Sequence, residues 1–333
     1  MTRPAGIKAV AAHAGVSVGT VSNVLNRPSQ VSEQTRARVL AAIDELGFVR
    51  HSSASQLRAG RSQTVGLVVL DIGNPFFTDL ARGAEDEAAA QSRSVLLFSS
   101  DGSAERQARQ LQFLEEQRVE GVLITPVGDD TAQLERLQDR GTTVVLVDAA
   151  AGDRYCSVRV DDRLGGELAG SHLIEIGRTR ITYVTAPDSV RQSRDRGIGL
   201  ADAATSAGRG ALSPPRRVVI PTLTGVAGYA ATAEVLSGQP DAVFCANDIV
   251  ALGLLRGLLE AGVRVPEDIA LVGYDDIEFA ATAAVPLTSV RQPAHELGRT
   301  AATLLLRERA AGPAHVHEDV VFSPELVVRG STV

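Results

Sequence analysis

The stretch AGVSVGTVSNVLN, from Ala14 to Asn26, has two incompatible interpretations. Its segment GVSVG, at positions 15–19, matches the G-x-S-x-G pattern of a hydrolase nucleophile elbow, in which Ser17 would attack a substrate. The same residues can instead form the tight turn of a helix-turn-helix, in which they would help to bind DNA. The sequence on either side of the stretch separates the two interpretations.

A nucleophile elbow needs an apolar strand before the serine, because the strand delivers the side chain to a sharp turn into a helix. The segment before Ser17, IKAVAAHA from Ile7 to Ala14, is instead rich in alanine and has helical spacing of its apolar residues. A hydrolase would also have to take the other members of its catalytic triad from a different domain. The hydrolase interpretation is therefore disfavoured.

Three short helices are predicted in the first 48 residues, over Ile7–Ala14, Ser17–Asn26 and Ser32–Leu46. Ser17 and Ser32 occupy N-cap positions, and Gly47 ends the third helix. Gly15 permits the positive φ that a tight turn between the first two helices requires. The pattern predicts a helix-turn-helix head, with an ordinary helical hairpin as the alternative.

The second predicted helix has an apolar stripe of Val21, Val24 and Leu25, so its opposite face is left for another surface. That face is short-chained, polar and uncharged, and in a helix-turn-helix its N-terminal end enters the major groove. Val18 can contact a thymine methyl group, and Asn23 can pair with an adenine edge. The hydroxyls of Thr20 and Ser22 could bond phosphates. The predicted DNA contacts of this helix are Val18, Gly19, Thr20, Ser22, Asn23 and Asn26.

Length and charge predict a small basic head joined to a large acidic body. The chain has 333 residues, which is too long for one ordinary core and favours two or three domains. The net charge is −7, but residues 1–61 carry eight basic and three acidic side chains, a net of +5, so the remainder is −12. A basic head of this kind suits DNA. From charge alone, a solvated helical face with surplus arginine remains an alternative.

Composition is typical of a globular protein, with 44% hydrophobic and 22% charged residues. No apolar run is long enough for a signal peptide or a membrane span, so we predict a cytoplasmic protein with no membrane association. The two cysteines, Cys156 and Cys245, each lie in a strand-like run. A disulfide framework is therefore not expected, which agrees with a reducing cytoplasm.

From Thr64 onward, apolar strand-like runs alternate with amphipathic helical patterns such as Phe76–Gln91 and Ala104–Gln117. This alternation predicts βαβ units in parallel sheets that are covered on both faces. We expect an α/β body of two doubly wound, Rossmann-like subdomains, with a ligand cleft at the carboxyl ends of the strands. The strand-like runs are TVGLVVL, VLLFSS, GVLIT, TVVLVD, CSVRV, ITYVT, RVVI, AVFCA, DIALVGYDD and TSV.

Several segments together resemble one family over essentially the whole chain. The chain is similar to the lactose/galactose repressor (LacI/GalR) family of bacterial transcription regulators. The segments that carry the resemblance are IKAVAAHAGVSVGTVSNVLNRPSQVSEQTRARVLAAIDELGF, SSASQLRAGRS, TVGLVVLDIGNPFF, RVEGVLITP, CANDIVALG, VRVPEDIALVGYDD, LTSVRQP and PELVVRGST.

The resemblance implies three domains and a hinge contact with DNA. The base-reading pair would be Val18 and Gly19, with Asn23 as the third reading position. Leu57 would wedge into the minor groove from a hinge helix, with Ala54 on the same face, whereas by itself Leu57 is an ordinary exposed linker leucine. The implied domains are a helix-turn-helix over 1–50, a hinge over 51–61 and an effector-binding, dimerising body over 62–333. The body would have an N-subdomain of about 62–161 plus 292–323 and a C-subdomain of about 162–291 plus 324–333.

The body resembles periplasmic sugar-binding proteins, which implies an effector between two lobes. Carboxylate, amide and guanidinium groups beside aromatic rings can bind a polyhydroxy ligand. Arg196 and Asp275 are the favoured contacts; Asp148 can instead bond backbone, and Asp248 can instead cap a helix. The phenylalanines can equally be core. The candidate effector residues are Asn74, Phe76, Phe77, Asp148, Arg196, Asn247, Asp248 and Asp275.

We therefore expect a repressor that binds an imperfect palindrome as a homodimer and responds to a small polar effector, with no cofactor, no metal and no catalytic activity. A carbohydrate is the expected effector, but the chain has no Trp for sugar stacking, so a nucleoside or purine is an alternative. A transport solute-binding protein would have no use for the basic head. A nucleotide-dependent enzyme would need a G-x-G-x-x-G loop after the first strand, where DIGNPFF stands.

Two further patterns have little weight in the sequence. HVHED contains His315, His317, Glu318 and Asp319, which suggests a metal site, but period-two spacing favours an exposed strand face. DDRLGG, at Asp161–Gly166, is typical of a helix start with acids at the positive end of the dipole.

Overall fold

The computed structural model describes residues 6–48, 62–128, 132–150, 152–206 and 214–333. The chain divides into two compact units, Met1–Arg61 and Ser62–Val333, here called the head and the body. The predicted hinge, with Ala54 and Leu57, lies outside the described residues.

The described part of the head, residues 6–48, contains three helices where the sequence predicts them: α1 (Ile7–His13), α2 (Val18–Asn26) and α3 (Glu33–Glu45). A single turn of 3-10 helix, Pro28–Gln30, connects the last two. Their apolar stripes meet in a small core, because each helix alone is too short to be stable in water. The buried members of this core are Val10, Ala11, Ala14, Val21, Val24, Val39 and Ala42.

Local chemistry explains the ends of these helices. The Ser17 hydroxyl accepts a 3.0 Å hydrogen bond from the Thr20 amide, and the N-cap Ser32 makes the equivalent bond to Thr35 at 3.4 Å. Gly15 has a φ of +64° in the turn before α2, a conformation that residues with a Cβ rarely adopt. The nucleophile-elbow interpretation of Ser17 is wrong, because the residue caps a helix and follows another helix.

In the part of the body that the structure describes, the strands form two six-stranded sheets. The first has the order β11-β5-β4-β3-β1-β2 and is parallel throughout. The second has the order β12-β10-β9-β8-β6-β7, in which only β12 is antiparallel. The ten predicted runs form β1 to β10. The strands are β1 (Thr64–Val69), β2 (Ser94–Ser99), β3 (Gly121–Ile124), β4 (Thr143–Val147), β5 (Cys156–Val160), β6 (Ile181–Thr185), β7 (Arg216–Val219), β8 (Ala242–Cys245), β9 (Ala270–Asp275), β10 (Thr288–Arg291), β11 (Asp319–Phe322) and β12 (Glu325–Val327).

Helices cover the two sheets and are separated from them by buried aliphatic side chains. They are α4 (Pro75–Ala90), α5 (Ala104–Glu116), α6 (Ala132–Asp139), α7 (Asp162–Glu175), α8 (Arg191–Ser206), α9 (Gly225–Ala230), α10 (Thr232–Ser237), α11 (Asp248–Glu260), α12 (Glu278–Thr282) and α13 (Ala294–Ala311). Among the described residues, no helix is both long enough and apolar enough to cross a membrane.

The chain passes between the sheets three times, after β5, after β10 and after β11. The first sheet with α4, α5, α6 and α13 is here called the N-lobe, and the second sheet with its helices the C-lobe. The carboxyl ends of the strands that form both sheet centres carry the polar residues Asn74, Asp148 and Asp275.

Close packing of α7 and α8 fixes one side of this region. A Cβ at Gly166 would lie 2.0 Å from the Arg196 carbonyl oxygen, and one at Gly199 would lie 1.9 Å from the Arg163 carbonyl oxygen. The two helix backbones are therefore in direct contact, which only glycine allows. As a result, the Arg196 side chain is held against the ends of the C-lobe strands.

The interpretation of HVHED as an exposed strand face is wrong. β11 begins only at Asp319, and the two histidines precede it. The His315 imidazole is 8% exposed and His317 is 26% exposed, whereas Val316 between them is 78% exposed. The period-two alternation is present, but it directs the imidazoles toward the neighbouring Cys156 of β5.

Candidate functional site

The two lobes are joined at the carboxyl ends of their strands by a buried hydrogen bond. Asn74, which follows β1, donates from Nδ2 to Oδ2 of Asp275, the last residue of β9, at 2.8 Å. Asn74 also caps α4, because its Oδ1 accepts from the Phe76 amide at 3.1 Å. One side chain thus fixes the start of an N-lobe helix and reaches into the C-lobe.

A second contact between the lobes involves Gln192 of α8. Its Nε2 donates to the Asp148 carbonyl oxygen at 2.8 Å and to Asp148 Oδ2 at 3.0 Å. Asp148 follows β4 of the N-lobe and is 3% exposed. Its second carboxylate oxygen, Oδ1, is buried without a hydrogen-bond partner among the described residues.

Arg196 lies at the centre of the C-lobe side and is 5% exposed. Its Nε donates to Asp162 Oδ1 at 2.8 Å, and its Nη1 donates to the Ala246 carbonyl oxygen at 2.6 Å. The guanidinium carbon lies 3.5 Å from the centre of the Tyr274 ring, which is cation–π geometry. Nη1 is also 4.0 Å from Asp275 Oδ1. Arg196 therefore links the carboxylate of Asp162, at the start of α7, to that of Asp275, at the end of β9.

Asp275 accepts a further hydrogen bond, and its backbone has a positive φ. Gln292, which follows β10, donates from Nε2 to Asp275 Oδ1 at 2.7 Å. The φ of Asp275 is +101°, and that of Asp148 is +54°. Non-glycine residues in this region carry a conformational cost, and such positions concentrate at functional sites.

Buried carboxyl groups outnumber buried cations in this cluster. Burial, followed by the charge of Asp162, raises the pKa of Asp148 to about 7 against the opposing effect of Arg196. Burial also raises the pKa of Asp275 to about 6, although Arg196 opposes it. Burial alone would lower the pKa of Arg196, but Asp162 and the other nearby charges raise it above its ordinary value. The cluster therefore holds a permanent cation beside carboxyl groups that titrate near neutrality.

Three residues in or next to this cluster each have a hydrogen-bonding atom that is not used. Asp148 Oδ1, Ser193 Oγ and Gln292 Oε1 are buried and have no partner among the described residues. Buried polar atoms are nearly always hydrogen-bonded in folded proteins, so unused ones at strand ends indicate a polar ligand. Acceptors beside a hydroxyl and a guanidinium suit a ligand that both donates and accepts.

Some sequence-predicted effector residues have other contacts. Phe76 and Phe77 are 4% and 7% exposed, belong to the hydrophobic core and pack edge to face with ring centres 5.0 Å apart. Asn247 caps α11 by accepting from the Val250 amide at 2.9 Å. The alternative that Asp248 caps this helix is wrong, because Asn247 does.

Asp248 instead connects the loop after β9 to strand β10 in the C-lobe. Its Oδ2 accepts from the Ile277 amide at 2.9 Å, and its Oδ1 accepts from the Ser289 hydroxyl at 2.7 Å. Both carboxylate oxygens are engaged within the protein. As ligand contacts, Asp248, Asn247 and the two phenylalanines stay predictions.

The structure adds four residues that sequence reasoning missed: Asp162, Gln192, Tyr274 and Gln292. From the sequence, Asp161 and Asp162 are both expected as acids at the start of a helix. In the structure Asp161 caps α7, because its carboxylate accepts a hydrogen bond from the Leu164 amide at 3.0 Å. Asp162 is 4% exposed and pairs with Arg196. The pair of consecutive aspartates is the one signal in the sequence, because an N-cap needs only one of them and the second is then free for another role.

The predicted DNA-binding face of α2 is exposed. Val18, Gly19, Asn23 and Asn26 are exposed, and Thr20 and Ser22 are half-buried. Thr20 Oγ1 lies 2.9 Å from Ser17 Oγ, and Asn26 Nδ2 donates to the Ser22 carbonyl oxygen at 2.8 Å. These bonds order the helix, while a Cβ at Gly19 would meet only Ser17 Oγ, at 3.6 Å. The face is therefore accessible at its N-terminal end.

Two surface grooves of the body include none of the polar residues at the strand ends. One is lined by Leu111, Arg136 and Arg140 among others, and another by Leu252 and Ala284 among others. Neither gathers buried ionisable side chains. The convergence of polar groups at the strand ends, rather than groove volume, marks the candidate ligand site.

The head and the body each match a known protein family. Residues 6–51 match the family described as bacterial regulatory proteins, lacI family, and residues 171–332 match the periplasmic binding protein-like domain. The ribose operon repressor of Escherichia coli K12 is 35% identical over 331 residues, which cover 98% of this chain and 99% of that protein. The chain belongs to the lacI family of bacterial regulatory proteins.

Other members of this family are similar to a comparable degree. The transcriptional repressor PurR of Aliivibrio fischeri MJ11 is 34% identical, over 99% of this chain and 98% of that protein. The crystal structure of the lac repressor dimer bound to operator and the anti-inducer ONPF has a TM-score of 0.84 at 27% identity and covers 99% of this chain and 100% of that one. The predicted fold, a helix-turn-helix head with a two-sheet α/β body, is confirmed, and this lacI-family protein is a transcription regulator.

Proposed function

We propose that this lacI-family protein is a repressor that binds a palindromic operator as a homodimer and is controlled by a small polar effector between its lobes. The observation that carries the effector control is the pair of contacts between the lobes, Asn74 to Asp275 and Gln192 to Asp148. Both contacts use residues beside unused buried acceptors, so a ligand there would alter the connection between the lobes directly.

The proposed effector is a polyhydroxy molecule, with a monosaccharide as the first choice. A sugar hydroxyl can donate to Asp148 Oδ1 while it accepts from a neighbouring donor, and the Arg196 guanidinium offers a fixed charge beside it. The name of the ribose operon repressor supports this choice. A nucleoside or purine is the second candidate, because PurR is almost equally similar in sequence.

Effector binding would act by a shift in population between two lobe arrangements. The ligand must bind one arrangement more tightly by a few kcal/mol to change operator occupancy greatly. Replacement of a direct bond between the lobes by bonds through the ligand provides such a difference. The segment 51–61, which connects the body to the head, would carry the change to the DNA.

On the DNA side, α2 would enter the major groove with its N-terminal end. Val18 would contact a thymine methyl group, and Asn23 would pair with an adenine. The amide groups at the start of α2 and the basic residues of the head would bind phosphates. Gly19 contributes no side chain, so specificity would depend on its neighbours and on groove shape.

The experiment that tests the proposal joins operator and effector. The operator is selected from random duplexes, and its affinity for the full-length protein is measured by fluorescence anisotropy with and without D-ribose, other sugars and nucleosides. We expect one class of ligand to change the affinity at least 10-fold. A protein that binds no duplex, or whose affinity no polar ligand changes, contradicts the proposal.

A further inference from the structure

Four metal-ligating side chains converge at the amino-terminal end of β5. Cys156 is the first residue of β5, Glu308 lies in the last turn of α13, and His315 and His317 lie in the segment before β11. One ligand atom from each residue lies within 4.8 Å of all the others. Three separate segments of the N-lobe thus bring a thiol, a carboxylate and two imidazoles to one point.

The distances between these atoms match a tetrahedral site. Cys156 Sγ lies 3.0 Å from His315 Nε2 and 3.8 Å from His317 Nδ1. Glu308 Oε2 lies 3.8 Å and 3.6 Å from the same two nitrogens. In a tetrahedral zinc site, bonds of about 2.0–2.3 Å place the ligand atoms about 3.3–3.8 Å apart. A metal ion therefore fits with shifts of only a few tenths of an ångström.

The Glu308 carboxylate is largely shielded from solvent and lies beside the sulfur and the two imidazoles. Its side chain is 11% exposed, and Oε2 accepts no hydrogen bond from a nitrogen or oxygen donor among the described residues. Both imidazoles are too distant to supply one. The Cys156 thiol lies beside the same carboxylate, and a cation bound between them would pair with the charge of Glu308.

Backbone contacts also fix the positions of the sulfur and the imidazoles. The Glu318 amide donates to Cys156 Sγ at 3.4 Å, the type of backbone contact that orients ligands from outside the coordination sphere. The H-x-H spacing places His315 and His317 on the same side of an extended segment, with the exposed Val316 directed away. Backbone geometry therefore presents both imidazoles to the sulfur.

We propose that Cys156, Glu308, His315 and His317 bind one divalent transition-metal ion, with zinc as the preferred occupant. Thiolate and imidazole ligands select zinc and similar metals over magnesium and calcium. Four protein ligands leave no open position, which is typical of a structural site rather than a catalytic one. The ion would tie the end of α13 to β5 and to the segment that leads into the edge strand β11. This site is separate from the effector cleft, which lies at the opposite ends of the strands.

The test uses full-length protein without an affinity tag, stripped with a chelator and then dialysed against Zn²⁺ or Co²⁺. We expect one metal ion per chain by elemental analysis and a rise of several degrees in melting temperature. With Co²⁺ we expect the visible absorption of a tetrahedral site together with a thiolate charge-transfer band.

Paired variants separate this site from other cysteines and histidines. C156S and H317A should lose the bound metal and the cobalt spectrum, whereas the controls C245S and H295A should keep both. H317A also covers the case in which C156S does not fold, because the His317 side chain is 26% exposed. Wild-type protein that retains no stoichiometric metal, or variants that bind it as well as wild type, would overturn the proposal.

Discussion

Asn74 Nδ2 and Asp275 Oδ2 are hydrogen-bonded at 2.8 Å although the two residues are 201 positions apart. The bond joins the end of β1 in one lobe to the end of β9 in the other. Asp275 is 6% exposed and depends on this amide and on Gln292 for its hydrogen bonds. Any ligand between the lobes must therefore either displace this contact or add to it.

Substitution of Asn74 by alanine should weaken effector binding. In the variant the bound effector lacks the Asn74 amide as a hydrogen-bond partner, which costs about 1–3 kcal/mol, or roughly a 5-fold to 150-fold loss of affinity. Isothermal titration with the ligand found by the anisotropy screen measures the change. Thr78→Ala is the matched control, because Thr78 is exposed on the same helix and bonds only its own helix backbone. Equal losses in both variants would contradict the role of Asn74.

Arg196→Met should destabilise the body strongly. The substitution keeps the volume but leaves the buried Asp162 without its cation, and the removal of one partner from a buried pair costs about 3–5 kcal/mol. Urea denaturation measures the change in the free energy of unfolding. Arg194→Met, two positions earlier on α8, removes an exposed side chain with one weak ion pair and should cost at most about 1 kcal/mol. A small effect at Arg196 would mean that the network is not needed for stability.

The stability of the unliganded body should fall as pH rises from about 4 to about 7. The pKa of Asp148 is raised to about 7 in the folded protein, from an ordinary value of 3.8. Folding therefore favours its protonated form, so the contribution is fully present below the ordinary pKa and is lost as pH rises through the folded value. Asp148→Asn cannot ionise and should remove a pH-dependent difference on the order of 2–4 kcal/mol. Denaturation curves across this range that stay parallel for both proteins would refute the assignment.

Two glycines of the head should respond oppositely to alanine. Gly15 has a φ of +64°, so Gly15→Ala should cost about 1–2 kcal/mol through backbone strain, since no atom of the described residues, apart from its chain neighbours, lies within 4 Å of the added Cβ. Gly19→Ala, within α2, should stabilise the helix by about 1 kcal/mol. Amide hydrogen exchange of head residues in the full-length protein measures the change in stability for each variant. Similar effects at the two positions would contradict the turn assigned to Gly15.

Local sequence signals predicted the elements well. The helix ends at Ser17 and Ser32, the turn at Gly15 and the ten strand runs each depend on residues within a few positions of one another. Such signals act through short-range hydrogen bonds and backbone preferences, which a single sequence contains. The edge strand β11 begins at Asp319, later than the HVHED pattern predicts, and the two histidines before it contact Cys156.

Contacts between distant residues could not be predicted in the same way. Gln192 meets Asp148 across 44 positions, and His315 meets Cys156 across 159. Neither glutamine nor a lone cysteine has a local pattern that names its partner. These contacts follow from the order of strands in the sheets, which decides which strand ends lie side by side.

If α2 reads DNA, as we propose, operator recognition must depend on its exposed side chains. The most direct test measures the affinity of the full-length protein for its selected operator and for a random duplex, for wild type and for Asn23→Ala. We predict specific binding that weakens steeply with salt and a loss of about 1–3 kcal/mol in operator discrimination for the variant. Asp44→Asn, on the exposed part of α3, should keep the discrimination. Equal affinity of wild type and Asn23→Ala for the operator, or no preference of wild type for it, would contradict the claim.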